Sequence, residues 1–303
     1  MQLKQVSQRF IDELNLLYQK DEAQAIFLLT LQHIKQYSRA DYILKKEEEI
    51  STNELINFEN VLKDLLAEKP IQYILGETYF YGLPFKINPS VLIPRPETEE
   101  LVDWILSVLN SDEQIVNRKS KTVNLLDIGT GSGCIAISLK KNLPEAKVYA
   151  LDIAADTLAT AQQNAVLNDV DVNFIQDDIL EPRFIQSHIS NLTSQISLIV
   201  SNPPYVKEDE KPEMNNNVLA NEPHRALFVS NQNPLIFYEA IANFALKYLE
   251  ENGLLFFEIN EYLGEQTVQL LKDKNFKNIE LKKDMQGKDR MIMANPPIPE
   301  LGF

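Results

Sequence analysis

The tetrapeptide Asn202-Pro203-Pro204-Tyr205 combines residue types that can hold a planar nitrogen in place. The nitrogen of a carboxamide or of an adenine amine shares its lone pair with neighbouring π bonds, so it must be oriented before it attacks an electrophile. The side-chain oxygen of Asn202 and the backbone carbonyl of Pro203 can each accept one N–H, which fixes the nitrogen and favours the positive charge that develops on it. Consecutive prolines stiffen this backbone, and the Tyr205 ring can pack against the planar group. The tetrapeptide therefore indicates a catalytic segment.

An ordinary Asn-Pro turn is the structural alternative for the same tetrapeptide. The segment follows the apolar run Ile196–Ser201, which predicts a buried strand. Ligands of open α/β sheets bind at the carboxyl ends of the strands. The position of the tetrapeptide in the chain therefore favours catalysis over a simple turn.

A second motif lies upstream, where three glycines alternate with small polar residues between a predicted strand and a predicted helix. Its members are Gly129, Thr130, Gly131, Ser132 and Gly133. Glycine is required where the backbone turns tightly or approaches a ligand closely. The spacing G-x-G-x-G differs from the dinucleotide fingerprint G-x-G-x-x-G and suits a cofactor without a pyrophosphate. A purely structural glycine turn and an NAD site are the alternatives.

Acidic residues follow the next two predicted strands. Asp152 ends the strand after the glycine turn, about 20 residues downstream, where a carboxylate can accept the ribose hydroxyls of a nucleotide. The alternative is an N-cap for the helix that begins at Ala155. Asp177 and Asp178 follow the third strand, where such a residue commonly faces an adenine edge, and a plain loop acid is the alternative. Together with the tetrapeptide, these positions predict an S-adenosylmethionine-dependent N-methyltransferase.

Composition limits the classes of partner and compartment. The 303 residues carry a net charge of -15 and contain no basic block. Because nucleic-acid-binding proteins gain affinity by neutralising phosphates, this charge favours a protein or small-molecule substrate over nucleic acid. No apolar run is long enough to span a membrane. A single cysteine, Cys134, excludes an internal disulfide and fits a reducing cytoplasm. His33, His188 and His224 are too scattered to predict a metal site.

The chain divides into three predicted segments. Residues 1–69 show helical spacing of apolar residues, with a capping box from Ser51, and predict a small helical domain. Residues 70–94 include an aromatic, alternating stretch broken by Gly-Leu-Pro, which predicts a β-hairpin linker. Residues 95–303 alternate strands and helices and predict a mostly parallel sheet covered on both faces. Within them, the charged stretch 207–213 and the asparagines after it predict a mobile loop over the site.

Further segments complete a pattern that is specific to one family. They are Pro-Ile-Gln-Tyr-Ile-Leu-Gly at 70–76, Leu-Ile-Pro-Arg-Pro-Glu-Thr-Glu at 92–99, Glu-Pro at 222–223, Glu-Ile at 258–259 and Gly-Lys-Asp-Arg at 287–290. With the glycine turn and the tetrapeptide, they cover most of the chain, which resembles the HemK/PrmC-type peptide-chain release factor glutamine N5-methyltransferases. The string at 92–99 is far more specific than Asn-Pro-Pro-Tyr, which amino-methyltransferases of DNA and RNA share.

The resemblance implies an α/β fold of the Rossmann-like class I methyltransferase type, with a seven-stranded sheet. It also implies a small N-terminal helical substrate-recognition domain and a β-hairpin linker. The implied reaction transfers a methyl group from S-adenosyl-L-methionine to the side-chain nitrogen N5 of the glutamine in the Gly-Gly-Gln motif of class-1 release factors. The alternative is an amino-methyltransferase that acts on adenine or guanine in nucleic acid.

The resemblance also assigns residues. It places the cofactor on the glycine turn, Asp152 and Asn202, and the substrate glutamine on residues 202–205. Asp178 and Ile179 occupy the cofactor position after the third strand, where some relatives carry an aromatic residue that stacks, so isoleucine departs from that pattern. Asn260 departs too, since glycine is expected after Glu-Ile.

Overall fold

The chain forms two compact units in the computed structural model, which describes residues 1–111, 123–185 and 196–297. The first unit comprises Met1–Glu77 and Asn215–Asn221. The second comprises Thr78–Met214 and Glu222–Phe303. The segment boundaries at residues 69 and 94 stay a prediction.

The first unit is helical. Its main helices are α1 (Leu3–Leu14), α2 (Lys20–Lys35), α3 (Arg39–Lys45), α4 (Thr52–Leu66) and α5 (Ile71–Leu75). Each of the longer helices buries one apolar stripe, as expected for amphipathic helices. Three buried rings meet in the core, where Phe27 packs edge-on against Phe10 at 5.6 Å and stacks on Phe58 at 6.0 Å between ring centroids. The predicted helical domain therefore has its own apolar core.

The start of α4 confirms the predicted capping box. The Ser51 hydroxyl accepts the N–H of Glu54 at 3.2 Å, and the Glu54 carboxylate accepts the N–H of Ser51 at 2.7 Å. The buried Lys35 ammonium of α2 donates to Glu54 at 2.8 Å. The bond from Lys35, followed by those from Ser51, lowers the pKa of Glu54 to about 2. These contacts tie the end of α2 to the beginning of α4.

The second unit contains a seven-stranded sheet, as the family resemblance implies. After the hairpin strands β1 (Glu77–Phe80) and β2 (Leu83–Lys86), its strands are β3 (Asn124–Ile128), β4 (Lys147–Asp152), β5 (Asn173–Gln176), β6 (Ile196–Ser201), β7 (Leu249–Glu258), β8 (Lys277–Lys283) and β9 (Asp289–Asn295). Their order is β8-β9-β7-β6-β3-β4-β5. β9 runs antiparallel to both neighbours, and the other pairs are parallel.

Helices cover both faces of this sheet. They are α6 (Pro96–Ser111), α7 (Cys134–Asn142), α8 (Ala155–Leu167), α9 (Ile236–Tyr248) and α10 (Gly264–Asp273). Successive strand residues enter opposite cores, because side chains alternate along a strand. Leu125 belongs to one buried apolar cluster together with Leu101 of α6, whereas Leu126 belongs to another together with Tyr238 of α9. The near-continuous apolar runs of the central strands thus follow from burial on both faces.

Strand β2 of the hairpin packs against the rest of the second unit through Asn164 of α8. The fully buried Asn164 side chain accepts the N–H of Lys86 at 2.6 Å and donates to the Lys86 carbonyl at 2.9 Å. It also donates to the carbonyl of Ser132 at 2.9 Å. The side-chain amide of Asn164 therefore holds both strand β2 and the glycine turn. The local sequence gives no indication of these contacts.

The segment predicted as a mobile loop forms helical turns instead. Glu208–Glu213 is a 3-10 helix, and Asn216–Asn221 is a short α-helix. Acidic residues in the first turn of the 3-10 helix interact favourably with the positive end of its dipole. Asn260 donates to the Glu210 carboxylate at 3.2 Å and anchors this turn. Farther on, the short helix His224–Leu227 precedes the strand Phe228–Val229, which pairs in parallel with Val206–Lys207.

Candidate active site

The carboxyl ends of the parallel strands lie together at one edge of the sheet. Ile128 of β3 pairs with Leu151 of β4 on one side and with Ser201 of β6 on the other. The glycine turn, Asp152 and Asn202 therefore leave the sheet side by side. The strand order reverses here, since β4 and β5 lie to one side of β3 while β6 and β7 lie to the other. Open α/β sheets bind ligands at such a switch point.

An open cavity of about 270 Å³ occupies this edge. The predicted site residues in its wall are Gly129, Thr130, Gly131, Ser132, Asp152, Asp178, Ile179, Asn202, Pro203 and Pro204. The structure thus brings together residues from four loops that are far apart in sequence. Gly133 and Tyr205 are the predicted site residues that lie outside the wall. The binding and catalytic roles of all these residues stay predictions.

The glycines of the turn divide into two kinds. Gly129 and Gly131 have φ angles of 75° and 56°, and a Cβ added at either would meet no atom within 4 Å. Their backbone faces open space, as a close approach to a ligand requires. A Cβ on Gly133 would lie 2.9 Å from Ile137 and 3.2 Å from Ala161. Gly133 therefore allows α7 and α8 to pack closely and does not face the cavity.

Asp152 is held by the turn that it faces. Its carboxylate accepts the N–H of Gly131 and the N–H of Ala154, each at 3.1 Å. The N-cap of α8 is Ala154, so Asp152 does not have the N-cap position considered as its alternative. Burial raises the pKa of Asp152, against the effect of the two backbone N–H groups. Each carboxylate oxygen keeps a second lone pair for further donors.

The first and last side chains of the tetrapeptide, Asn202 and Tyr205, point in different directions. Asn202 lines the cavity, and its side-chain nitrogen donates to the Thr98 hydroxyl at 3.2 Å. Tyr205 packs against the core, and its hydroxyl donates to the Glu258 carboxylate at 3.1 Å. Burial raises the pKa of Tyr205, which keeps the phenol protonated. The Tyr205 ring therefore supports the tetrapeptide from the core side in this structure. A contact between this ring and a planar substrate stays a prediction.

Comparison with known proteins agrees with this geometry. The model of the PrmC N-terminal domain matches residues 6–76, and that of the methyltransferase small domain matches residues 113–228. The sequence is 48% identical to the release factor glutamine methyltransferase of Flavobacterium psychrophilum, over 97% of this chain and 99% of the relative. It is 41% identical to the enzyme of the same name from Bacteroides thetaiotaomicron, over 92% and 95%. The chain belongs to the release factor glutamine methyltransferase family.

The fold is also that of a solved methyltransferase from Pyrococcus furiosus. The TM-score is 0.50 at 16% identity, and the alignment covers 79% of this chain and 100% of that one. At this identity the similarity concerns the fold alone. It agrees with the class I methyltransferase topology of the sheet.

As a member of the glutamine methyltransferase family, the chain is a methyltransferase whose donor is S-adenosylmethionine. The cavity fits this donor. The open space at Gly129 and Gly131 admits a ligand against the backbone, and the Asp152 carboxylate has free lone pairs for ribose hydroxyls. Ile179 provides an apolar surface in the same wall.

Asp127, two residues before the first glycine of the turn, has a structural role that sequence reasoning missed. It is fully buried, and its carboxylate accepts the Thr130 hydroxyl at 2.7 Å. Burial raises its pKa to about 7, against the hydrogen bond from Thr130. Its position two residues before the first glycine was the available signal. Asp127 therefore supports the shape of the turn in this family member.

The two acids after β5 have different surroundings. The Asp177 carboxylate accepts the backbone N–H groups of Arg183, Phe184 and Ile185 at 2.8 to 3.1 Å. This residue therefore closes the following turn, although it also borders the cavity. Asp178 accepts the N–H of Leu180 at 2.9 Å and lines the wall. A contact between Asp178 and adenine stays a prediction.

Two arginines border the cavity. Arg95 donates to the buried Glu222 carboxylate at 2.6 Å, so its ion pair is half-buried and not a surface pair. Arg225 donates to Asp156 at 2.8 Å and to the Thr157 hydroxyl at 2.9 Å. These ion pairs connect the segment after residue 222 with the segment before α6 and with α8. The sequence analysis assigned no role to Arg225.

Substitutions at two glycines should separate donor binding from folding. We expect Gly133→Ala to lower the free energy of unfolding by about 2–4 kcal/mol, because a positive φ and close packing are both violated. We expect Gly131→Ala to cost about 1–2 kcal/mol through φ alone, but to weaken donor binding strongly because its Cβ enters the cavity. Urea unfolding and isothermal titration calorimetry check the two effects. Equal unfolding losses, or unchanged donor affinity in Gly131→Ala, would contradict this division.

The histidines do not form a metal site in the described part of the chain. His33 contacts Glu77 at 2.8 Å, and the ring of His224 packs edge-on against Phe228. His188 lies outside the described residues. Within residues 1–111, 123–185 and 196–297, no cluster of metal-ligating side chains is present, and no helix has the length and apolarity to cross a membrane.

Proposed function

We propose that this enzyme transfers the methyl group of S-adenosylmethionine to N5 of the glutamine in the Gly-Gly-Gln motif of class-1 peptide-chain release factors. The observation that carries the proposal is that Asn202 and Pro203 share one cavity wall with the glycine turn and Asp152. A planar amide held on the tetrapeptide would thus lie beside the donor. The relatives from Flavobacterium and Bacteroides, which match over nearly the whole chain, are named release factor glutamine methyltransferases, which supports this proposal.

The donor would be held by three parts of the wall. The backbone at Gly129 and Gly131 would lie against it, and Asp152 would accept its ribose hydroxyls. Asp178 and Ile179 would border the adenine. When bound, S-adenosylmethionine supplies an electrophilic methyl group on a positively charged sulfur. The groups that orient the reactants belong to the protein and to the substrate.

The tetrapeptide would orient the substrate nitrogen. The side-chain oxygen of Asn202 and the carbonyl of Pro203 would each accept one N–H of the glutamine carboxamide, which directs the nitrogen lone pair toward the methyl group. The same two oxygens stabilise the positive charge that develops on nitrogen during attack. The nitrogen loses a proton to water only after it has gained the methyl group, so no strong base is required. Pro204 contributes a rigid apolar wall.

The first unit would recognise the substrate protein. It has an independent apolar core and lacks the glycine turn and the tetrapeptide. The net charge of the chain, -15, disfavours a phosphate-rich partner. We therefore assign residues 1–69 to protein recognition and residues 70–94 to the connection with the methyltransferase domain. Because release factors act in translation, the enzyme would work in the cytoplasm.

Methyl transfer to purified release factors tests this function. We expect the enzyme with S-adenosylmethionine to add one methyl group to a class-1 release factor, measured by intact mass and located by peptide fragmentation. A release factor with alanine in place of the Gly-Gly-Gln glutamine is the matched control and should gain none. Equal methylation of that control would refute the site. Salt-sensitive methylation of RNA or DNA in place of the protein would support the nucleic-acid alternative.

A further inference from the structure

A chain of hydrogen bonds runs from the cavity into the core behind Asn202. The Asn202 side-chain nitrogen donates to the Thr98 hydroxyl at 3.2 Å, and that hydroxyl donates to one oxygen of Glu258 at 2.6 Å. Thr98 and Glu258 are 2% and 1% exposed, so water does not compete for the bond between them. Three residues from α6, the end of β7 and the tetrapeptide thus form a single relay, in which Thr98 and Glu258 are buried and Asn202 lines the cavity.

The chemistry of the relay determines which atom of Asn202 faces the cavity. An ionised carboxylate only accepts hydrogen bonds, and a threonine hydroxyl has a single proton to donate. Since that proton goes to Glu258, Thr98 can offer Asn202 only a lone pair. The amide nitrogen of Asn202 must therefore face Thr98, and its oxygen is turned away from the relay.

The Glu258 carboxylate is itself held in place. Its other oxygen accepts the Tyr205 hydroxyl at 3.1 Å, so each oxygen has one hydroxyl donor. Arg290 places a positive charge nearby and is fixed by Asp284 at 3.0 Å. The Tyr205 carbonyl in turn accepts Asn260 at 3.1 Å. Asn260, which stands where glycine is expected, therefore holds the last residue of the tetrapeptide, whereas Thr98 holds its first residue.

We propose that Thr98 and Glu258 are positioning residues, which orient the Asn202 carboxamide so that its oxygen faces the substrate nitrogen. The proposal rests on the function proposed above. It assigns a role to three residues that have none in the proposed reaction itself. They are Thr98, Glu258 and Arg290. Glu258 lies outside the cavity wall and Thr98 borders the cavity, and the proposed reaction places no reacting atom on either residue.

The orientation matters because an amide can be rotated by half a turn at almost no steric cost. In the rotated form, Asn202 would present N–H groups to the N–H groups of the substrate glutamine. One of the two acceptors would be lost, and two donors would face each other. Loss of a single such contact to the developing charge typically lowers kcat by about 100-fold or more. A variant in which the Asn202 amide is rotated in only part of the molecules should therefore show a smaller but measurable loss of kcat.

Thr98→Val and Thr98→Ser test the relay. Valine keeps the size of the side chain and removes the hydroxyl, so we expect kcat to fall about 10- to 100-fold, with KM for the release factor within about threefold. Serine keeps the hydroxyl and should restore kcat to within about threefold of wild type. Donor affinity, measured by calorimetry, should be unchanged in both variants. A residue that merely supports the fold would not show this split between kcat and KM or the rescue by serine.

Glu258→Gln with a pH profile is the second test. Glutamine places an N–H where one acceptor stood, so it opposes either the Thr98 or the Tyr205 hydroxyl, and kcat should fall about tenfold. Burial raises the pKa of Glu258, against the bonds and charge around it. The wild-type kcat should therefore decline as the pH falls through this raised pKa. Protonated Glu258 can itself donate a hydrogen bond, so the Thr98 hydroxyl need not donate to Glu258 and can donate to the Asn202 oxygen instead. The titratable or charged groups that interact with Glu258 are Glu97, Cys134, Tyr205, Tyr238 and Arg290.

The outcomes separate the relay from the proposed function. No methylation by the wild-type enzyme would overturn the function itself. A wild-type kcat in Thr98→Val, while Asn202→Ala is strongly impaired, would overturn the relay alone. If Thr98→Val fails to bind the donor, Glu258→Gln decides: loss of kcat together with loss of the acidic decline supports the relay, and a wild-type kcat and pH profile overturn it.

Discussion

Asn202→Ala is expected to lower kcat for methyl transfer by about 100-fold or more, while the Kd of S-adenosylmethionine rises by much less, because Asn202 is only one of the residues predicted to contact the donor. The alanine removes one of the two oxygens that would hold the substrate nitrogen and stabilise its developing charge. The glycine turn and Asp152, which would hold the donor, keep their contacts. Single-turnover kinetics with a release factor and calorimetry with the donor measure the two quantities.

The chain contains its own control for this prediction. Asn295-Pro296-Pro297 repeats the first three residues of the tetrapeptide at the end of β9. The Asn295 side chain donates to the Gly253 carbonyl at 2.9 Å and lies outside the cavity wall. We expect Asn295→Ala to keep kcat within about twofold of wild type, since a surface-edge bond of this kind affects stability by only about 1 kcal/mol. Equal losses in Asn202→Ala and Asn295→Ala would contradict the catalytic assignment.

Asp152→Asn is expected to raise the Kd of the donor about 10- to 100-fold, or about 1.4–2.8 kcal/mol. A hydrogen bond to a charged group contributes about 1.5–3 kcal/mol, and the asparagine replaces one accepting oxygen by a donor. The same change should leave kcat at saturating donor much less affected than Asn202→Ala does. Calorimetry with S-adenosylmethionine is the measurement, and Asp171→Asn, an exposed carboxylate before β5, is the matched control.

The affinity of the wild-type enzyme for the donor should also depend on pH. Burial raises the pKa of Asp152, and the ionised carboxylate is the form that accepts two hydroxyls. Donor affinity should therefore be full above this raised pKa and should decline as the pH falls through it, at a pH above the ordinary range for aspartate. Asp152→Asn should lack the decline. An identical pH dependence in both proteins would assign the titration to another group.

Sequence reasoning could place the elements because each carries a local signal. The alternating β and α segments, the hairpin and the capping box at Ser51 were predicted and are confirmed. The glycine spacing identified the turn, but it could not distinguish Gly131, which faces the cavity, from Gly133, which packs against Ala161. That difference depends on where α8 lies, which is a property of the fold and not of the motif.

The placement of the two Asn-Pro-Pro segments shows the same limit. β6 runs parallel to β3, whereas β9 runs antiparallel to β7. The first segment therefore leaves the sheet at the edge with the cavity, and the second leaves it at the opposite edge. The relay from Asn202 through Thr98 to Glu258 was equally invisible, because its members lie up to 160 residues apart and meet only when α6 and β7 are packed. The contact between the Tyr205 ring and the substrate stays a prediction, and the hydrogen bond from its hydroxyl to Glu258 could not be predicted from the sequence.

A crystal structure of the enzyme with S-adenosylhomocysteine and a class-1 release factor tests the central claim most directly. The substrate glutamine nitrogen should lie about 2.7–3.2 Å from both the Asn202 side-chain oxygen and the Pro203 carbonyl, which is the range of N–H···O hydrogen bonds. The Asn202 nitrogen should remain on Thr98. A glutamine nitrogen bound by other groups, or an Asn202 oxygen that points at Thr98 in that complex, would contradict the account.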